Sequence, residues 1–348
     1  MALKKQDQLR FAEQLLTLLD AGLPLLNAIE LIYSTAPKNW LTSLSGIHEQ
    51  LKKGESFSQC LRNQKNQFSI EFVNLIKVSE RTGDFSLALK TICQQLEAQI
   101  ELRRKIQQSM SYPLITLASS FLLVMVMMIW VVPVFKEVFD HFQAELPRPT
   151  KALIEASSWL QEFGIEIACT LLIFTALCGL AWAKLPRLQK YCDRASFCIP
   201  LVGQLLRLAT LTYWCRTLGH LLRSGLPLLD ALRVTAQSSN HWLSHDYSAE
   251  IFKHLTRGWP LGDAIVKADP KRLLFDLETL QLLKIASESG ALAEMLQKRS
   301  MVLGSQLSNK LNTLSQSLEP LLIIIVGLII GSLVIILYLP IFNLGQIV

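Results

Sequence analysis

The chain has 348 residues, of which 51% are hydrophobic and 18% charged, and its formal net charge at pH 7 is +6. A mean hydropathy of +0.33 is high for a soluble protein and low for a polytopic transporter, so the composition indicates a few membrane spans joined to sizeable soluble parts. The 7 cysteines lack CxxC spacing, and an odd count without a framework argues against a disulfide-based fold.

The N-terminal region shows helical periodicity interrupted by turn signals. Residues 1–11, MALKKQDQLRF, contain no apolar stretch long enough for a signal peptide, so we expect the N-terminus to remain in the cytoplasm. Gly22 and Gly83 fit the left-handed position that ends a helix, and Pro24 fits the start of the next helix. No convincing period-2 strand appears, so residues 1–112 are predicted to form an all-α bundle.

Three segments are apolar over bilayer-spanning lengths. They are residues 113–135, residues 167–183, which are the shortest, and residues 318–342, which are the most apolar. A transmembrane helix needs about 20 residues, so we predict three spans. A buried core helix is a credible alternative only for the second segment.

The basic residues that flank these spans predict their orientation. Basic clusters lie before the first span and after the second: Arg103, Arg104, Lys105, Lys184, Arg187, Lys190 and Arg194. The connection at 136–166 is instead rich in acidic residues. Because Lys and Arg favour the cytoplasmic side of a span, we predict that 1–112 and 184–317 are cytoplasmic and that the 136–166 loop is external. Much of the positive charge is then topogenic or binds anionic lipid headgroups, and a direct nucleic-acid partner is not needed.

The chain contains an internal repeat in which a helical domain leads into a membrane span. AGLPLLNAI in the first copy corresponds to SGLPLLDAL in the second. The paired segments are 21–29 with 224–232, 51–61 with 255–265, 77–89 with 284–296, and Pro133 with Pro340. The predicted architecture is therefore an all-α integral membrane protein with two homologous cytoplasmic helical-bundle domains, 1–112 and 184–317, and three transmembrane helices.

These residues carry a resemblance to the type II secretion system F protein family. The residues concerned are the repeated (A/S)GLPLL(N/D)A(I/L) element, the E-x-(S/T)-G turn at 80–83, and Glu319–Pro320 at the last span. The resemblance extends from about Phe11 to Phe342. This family includes the inner-membrane platform protein of type IV pilus assembly and the related competence protein.

The resemblance implies a non-enzymatic platform in the bacterial inner membrane, multi-pass and with a cytoplasmic N-terminus. Such a platform couples a cytoplasmic assembly ATPase to the polymerisation of pilin or pseudopilin subunits and contacts other inner-membrane assembly components. Related cytoplasmic domains are six-helix bundles that can pair, so a homo-oligomer is expected. Secretion, pilus (fimbrium) biogenesis and DNA uptake all remain open as the process served.

The resemblance also implies a calcium site in the first domain. In some members an acidic residue of the P-L-x-(E/D)-A element and two acidic positions around the E-x-x-G turn hold the ion. The matching residues here are Asn27, Glu80 and Asp84. Asn27 replaces the usual carboxylate, although an amide oxygen can still bind calcium. The alternative is that Glu80 and Asp84 only decorate a helix end.

The sequence carries no visible catalytic constellation. It lacks a GxxxxGK(S/T) phosphate loop, a GxSxG elbow and an HExxH pair, and Asp276 and Glu278 are interpreted as surface charges. The apolar stretches beyond Glu319 and in the other two spans hold no ionisable Asp, Glu, Lys or Arg, which disfavours ion-coupled transport. A small transporter or channel subunit remains the alternative function, and a membrane-tethered enzyme is a third.

Two further surfaces are expected from the platform interpretation. The motor-facing surface is placed on the basic turns at Lys52–Lys53 and Arg257. Gly327 and Gly331 form a small-xxx-small pair in the last span, which either packs the apolar stem of a pilin or packs the protein's own helices.

Overall fold

The computed structural model of the chain describes residues 4–64, 67–141, 147–184, 196–197, 199–238 and 241–344. This part of the chain is helical and contains no strand, as the all-α prediction requires. The chain divides into two compact units. The first, which we call the bundle unit, comprises Met1–Lys105 and Asp193–Lys310; the second, the apolar unit, comprises Ile106–Cys192 and Leu311–Val348.

The helices of the bundle unit form two sets that follow the same order. The first set is α1 (Lys5–Asp20), α2 (Leu25–Thr35), α3 (Lys38–Lys52), α4 (Phe57–Asn63), α5 (Ile70–Thr82) and the start of α6 (Phe85–Val126). The second set is α9 (Pro200–Arg223), α10 (Leu228–Ser238), α11 (Trp242–Thr256), α12 (Leu261–Ala268), α13 (Leu277–Ser289) and the start of α14 (Leu292–Leu344). The basic flank predicted at Arg187, Lys190 and Arg194 lies outside the described residues.

The turns between these helices repeat as well. Glycines with positive φ occur in matching pairs: Gly22 with Gly225, Gly54 with Gly258, and Gly83 with Gly290. Gly83 and Gly290 end α5 and α13 at φ values of 79° and 74°, a region where a Cβ crowds the backbone. The repeat seen in the sequence is therefore also a repeat of backbone geometry.

One continuous hydrophobic core joins both sets of the bundle unit. Phe11 of α1 is 1% exposed and lies 5.6 Å from the ring of Phe68. Trp214 of α9 is fully buried, makes an edge contact with Phe275 at 4.8 Å, and donates its indole N–H to the Ser248 hydroxyl at 2.8 Å. Burying one such Phe side chain stabilises the fold by about 2–3 kcal/mol.

The apolar unit contains the remainder of the long helices. Its elements are the end of α6, a π-helical turn (Met127–Val131), α7 (Val132–His141), α8 (Arg148–Lys184) and the end of α14. Within the stretch predicted as an external loop, 136–166, residues 136–141 and 148–166 are helical. Side chains such as Ile115, Phe121 and Leu328 expose about two thirds of their surface. A large exposed apolar surface of this kind is typical of a protein that contacts lipid.

Two helical stretches are long and apolar enough to cross a membrane, Phe85–Val138 and Leu292–Leu339. The first contains the predicted span 113–135, and the second contains residues 318–339 of the predicted span 318–342. The second predicted span, 167–183, lies within α8 and is not among the stretches that meet this criterion in the described part of the chain. The three-span arrangement and the limits of the cytoplasmic domains stay predictions.

Candidate functional site

The two helix sets of the bundle unit are joined through a buried carboxyl group. Glu71, in the first turn of α5, is 3% exposed and accepts hydrogen bonds from the Tyr213 hydroxyl of α9 and from Gln95 Nε2 of α6, the latter at 2.5 Å. Gln95 Nε2 also lies 3.5 Å from Thr217 Oγ1. The two helix sets also pack through apolar side chains. The hydrogen bonds of this polar cluster add a fixed position of one set against the other.

Burial changes the acid–base behaviour of this cluster. Removal from water raises the pKa of Glu71 to about 7, against the opposing effects of a hydrogen bond with Ser238, of the Lys5 charge and of the hydrogen bond from Gln95. A carboxyl group with such a pKa changes its charge within the physiological pH range. Neither Glu71 nor Tyr213 is predicted from the sequence, because an acidic residue in the first turn of a helix is usually solvent-exposed.

The second set holds its own buried ion. Arg299 of α14 is 2% exposed, and its Nη2 donates to Asp276 Oδ2 at 2.7 Å while its Nε donates to Thr279 Oγ1 at 2.8 Å. Its Nη1 lies 2.7 Å from Glu278 Oε1 as an ion pair. Asp276 also caps α13 by accepting from the Thr279 N–H at 2.9 Å. Asp276 and Glu278 were expected to be surface charges. In the structure both form ion pairs with a buried arginine.

The residues predicted to bind calcium have other partners in the structure. Glu80 accepts from the Ser58 N–H at 3.0 Å and from the Ser58 hydroxyl at 2.5 Å, so both carboxylate oxygens are used. Asp84 accepts from the Leu87 N–H at 2.9 Å and caps α6, and Asn27 is exposed on α2. The described residues include no cluster of three His, Cys, Asp or Glu side chains that could hold a metal. These contacts do not favour the calcium ligand set, and it stays a prediction.

The basic turns proposed for a motor contact are exposed and structurally alike. Lys52 is the last residue of α3, Lys53 and Arg257 directly follow α3 and α11, and each turn is completed by a glycine of positive φ. The ammonium group of Lys52 lies 3.9 Å from Glu30. Both turns are thus accessible, and their equivalence follows from the repeat.

In the apolar unit, prolines leave backbone carbonyl groups without their helical donor, and side chains of other helices supply one. A proline removes the hydrogen bond to the carbonyl four residues before it, which for Pro340 is that of Ile336. The Thr150 hydroxyl donates to Ile336 O at 2.9 Å. In the same way Pro113 releases Ser109 O, which accepts from the Ser315 hydroxyl at 3.0 Å.

At the π-helical turn before Pro133, side chains of α8 again donate to backbone carbonyl groups. The Val132 N–H donates to Met127 O, a shift of one residue from the α pattern. Met128 O would then need the missing N–H of Pro133, and it accepts instead from the Ser157 hydroxyl at 2.5 Å. Gln161 Nε2 donates to Ile129 O at 3.3 Å. In lipid such carbonyl groups must find donors within the protein.

Three of these donors share one face of α8, which we call the α8 polar face: Thr150, Ser157 and Gln161. Thr150 is fully buried and Ser157 is 2% exposed. Their spacing matches a helix period, so the sequence held a signal for this face. It was missed because the segment was interpreted as a loop.

The glycine pair of the last span does not pack against the described part of the chain. A Cβ built on Gly327 or Gly331 meets nothing within 4 Å. Nearby, α6 and α14 enclose an apolar groove of about 230 Å³, lined by residues such as Phe121, Val124 and Ile329. The alternative that the glycines pack the protein's own helices is therefore not supported by the described residues.

Comparison with known proteins gives the family. The model of "Type II secretion system (T2SS), protein F" matches residues 11–133 and 214–340. Each stretch begins in one helix set and continues along the long helix that follows it. The chain is similar to type IV pilus assembly protein TapC of Aeromonas hydrophila, with 28% identity over 99% of this chain and 83% of that protein. It is also similar to type 4 fimbrial assembly protein PilC of Pseudomonas putida, with 31% identity over 99% of this chain and 85% of that protein. Type IV pilus assembly protein PilC of Myxococcus xanthus (strain DK1622) shares 27% identity over 98% and 81%. The resemblance inferred from the repeat is thereby confirmed, and the chain belongs to the type II secretion system protein F family.

Proposed function

We propose that this protein is a platform of the bacterial inner membrane, which assembles a type II secretion or type IV pilus machine and has no enzymatic activity of its own. The family and the names of the relatives support this function. The single observation that carries it is the doubled architecture: two matching helix sets with one core, each followed in the chain by a long apolar helix. Such a protein offers binding surfaces and a membrane anchor.

The proposed role is mechanical coupling. A cytoplasmic assembly ATPase pushes on the bundle unit, and the platform passes the displacement to pilin or pseudopilin subunits in the membrane. The buried Glu71–Tyr213–Gln95 contact supports this role because it holds the two sets together. Helices α6 and α14 begin in the bundle unit and end in the apolar unit, so either one can carry a displacement along its axis. The proposal includes a cytoplasmic N-terminus, three spans and self-association.

The partner of the bundle unit is tested by co-purification. The full-length chain, tagged and extracted in mild detergent, is expected to retain the assembly ATPase of the same machine. Charge reversal at Lys52 and Lys53, or at Arg257, should reduce the retained ATPase severalfold if the exposed basic turns face the motor. Lys271→Glu is the matched control because Lys271 is also exposed.

The outcomes separate two levels of the proposal. Equal retention in all variants contradicts the placement of the motor on the basic turns. Failure of the unaltered chain to retain the ATPase under any crosslinking condition contradicts the coupling role itself.

A further inference from the structure

The bundle unit contains a cleft of about 340 Å³ between α6, α9 and α14. Its polar lining is contributed by Glu101 and Lys105 of α6, Arg216 of α9, and Ser305 and Ser308 of α14. Leu102, Met301 and Leu307 form the apolar part of the wall. This cleft is distinct from the Glu71 cluster and from the Arg299 network.

Arg216 is the central positive charge of this cleft. Its guanidinium group makes no hydrogen bond or ion pair within 4.0 Å to the part of the chain that the structure describes. Burial lowers the pKa of Arg216, and Glu101 opposes the effect, but a guanidinium stays protonated in proteins. A half-buried cation without a hydrogen-bonded counterion is unfavourable, so an anionic ligand would stabilise it.

The surroundings of Arg216 favour an anion with several acceptor oxygens. The hydroxyl groups of Ser305 and Ser308 have no hydrogen-bond partner among the described side chains and backbone groups. Gly304 also lies close to the guanidinium group, since a Cβ built on it would stand 3.5 Å from Arg216 Nη2. Glu101, the only acidic side chain of the cleft lining that the structure describes, is paired with Lys105 at 3.0 Å. Arg216 therefore leaves the cleft with a net positive charge.

We propose that this cleft binds a phosphate group, presented by an anionic phospholipid headgroup or by a soluble phosphate compound. Guanidinium, ammonium and hydroxyl donors together match the several oxygens of a phosphate. The apolar wall fits a glycerol or acyl segment attached to it. Lys105 and Ser308 stand shortly before Pro113 and Pro320 in the sequence, where the long helices become apolar. Basic pockets beside membrane helices are typical sites for anionic headgroups. The proposal does not depend on the platform function.

The test uses the full-length protein purified in detergent. Bound phosphatidylglycerol is measured by native mass spectrometry, and thermal stability is measured with added phosphatidylglycerol, phosphatidylcholine or inorganic phosphate. We expect phosphatidylglycerol to be retained by the unaltered chain and by Lys271→Gln, which removes one exposed charge outside the cleft. Arg216→Gln should reduce the retained lipid about tenfold.

A second variant keeps the test decisive if Arg216→Gln folds poorly. Ser305→Ala combined with Ser308→Ala removes both hydroxyl donors and favours the helix, so its fold should persist while retention falls severalfold. Stabilisation by inorganic phosphate alone, lost in Arg216→Gln, assigns the site to a soluble compound and excludes the lipid. Equal retention and equal stabilisation in the Arg216, Ser305/Ser308 and Lys271 variants overturns the proposal.

Discussion

At the residue scale, the two copies of the repeat use the same position differently. Glu71 and Glu278 correspond in the register that pairs Gly83 with Gly290. Glu71 is buried against Tyr213 of the other helix set, whereas Glu278 exposes 67% of its side chain and faces Arg299 of its own set. Among the described residues, Glu71 therefore contacts the partner set at this position and Glu278 does not. The contact spans 142 residues of sequence, which is why no local pattern predicted it.

The raised pKa of Glu71 predicts a pH-dependent stability. The folded state binds this proton more tightly than the unfolded state, so stability falls as pH rises from about 4.5 towards about 7. A shift of this size corresponds to roughly 3 kcal/mol. Glu71→Gln should remove most of the loss, which is measured as the melting temperature of the detergent-purified chain between about pH 5 and pH 8.

Glu97→Gln is the control for this titration because Glu97 is exposed on α6. It should lose stability with rising pH as the unaltered chain does. A Glu71→Gln variant whose melting temperature declines just as steeply would show that Glu71 is not the titrating group.

Arg299 gives a second prediction at the same scale. Arg299→Met removes a buried cation and leaves the partly exposed carboxylates of Asp276 and Glu278 without their shared ion-pair partner. We expect a loss of about 2–3 kcal/mol, below the full cost of an uncompensated buried charge, because both carboxylates can be hydrated. Chemical denaturation in detergent measures it.

Glu278→Gln tests the same network from its exposed side. Since the Glu278 side chain is 67% exposed, its loss should cost well under 1 kcal/mol. A larger loss in Glu278→Gln than in Arg299→Met would contradict the arginine-centred description.

At the element scale, the sequence predicted helices, turns and their repetition but not how the prolines are accommodated. The glycine and proline signals placed the helix ends at Gly22 and Gly83 correctly. Pro133 and Pro340 were recognised as equivalent, yet the donors to the carbonyl groups they release come from α8. Those donors belong to one copy only, so the repeat itself could not predict them.

The α8 polar face predicts a difference between adjacent serines. Ser157→Ala removes the donor to Met128 O and should destabilise the apolar unit by about 1 kcal/mol. Ser158→Ala is the matched control, because its hydroxyl bonds only to carbonyl groups of its own helix, Ile154 O and Glu155 O. Both are compared by resistance to denaturation in detergent. Equal losses would contradict a specific role for Ser157.

A rescue strengthens this test. Pro133→Ala restores a backbone N–H near the π-helical turn, so Met128 O regains a donor within its own helix. The cost of Ser157→Ala should then shrink in the Pro133→Ala background. An unchanged cost would mean that the hydroxyl stabilises the protein by another route.

At the scale of the whole molecule, the repeat in the amino-acid sequence is sufficient to indicate the family. Duplicated elements, apolar runs and missing catalytic motifs are properties of the sequence, and the duplication is recovered in the matching helix sets and in the two regions matched to the family. The polar contacts that join the sets depend on residues far apart in the sequence. The phosphate-binding cleft similarly gathers α6, α9 and α14, which no linear pattern brings together.

The measurement that tests the platform function most directly is deletion of the gene followed by complementation. The deletion strain is assayed for surface pili, for secreted protein and for DNA uptake, and is complemented with the unaltered chain. We predict that at least one of the three processes is abolished and then restored, with the pilins still present in the membrane. A deletion strain in which pili, secretion and DNA uptake are all normal would contradict the platform function.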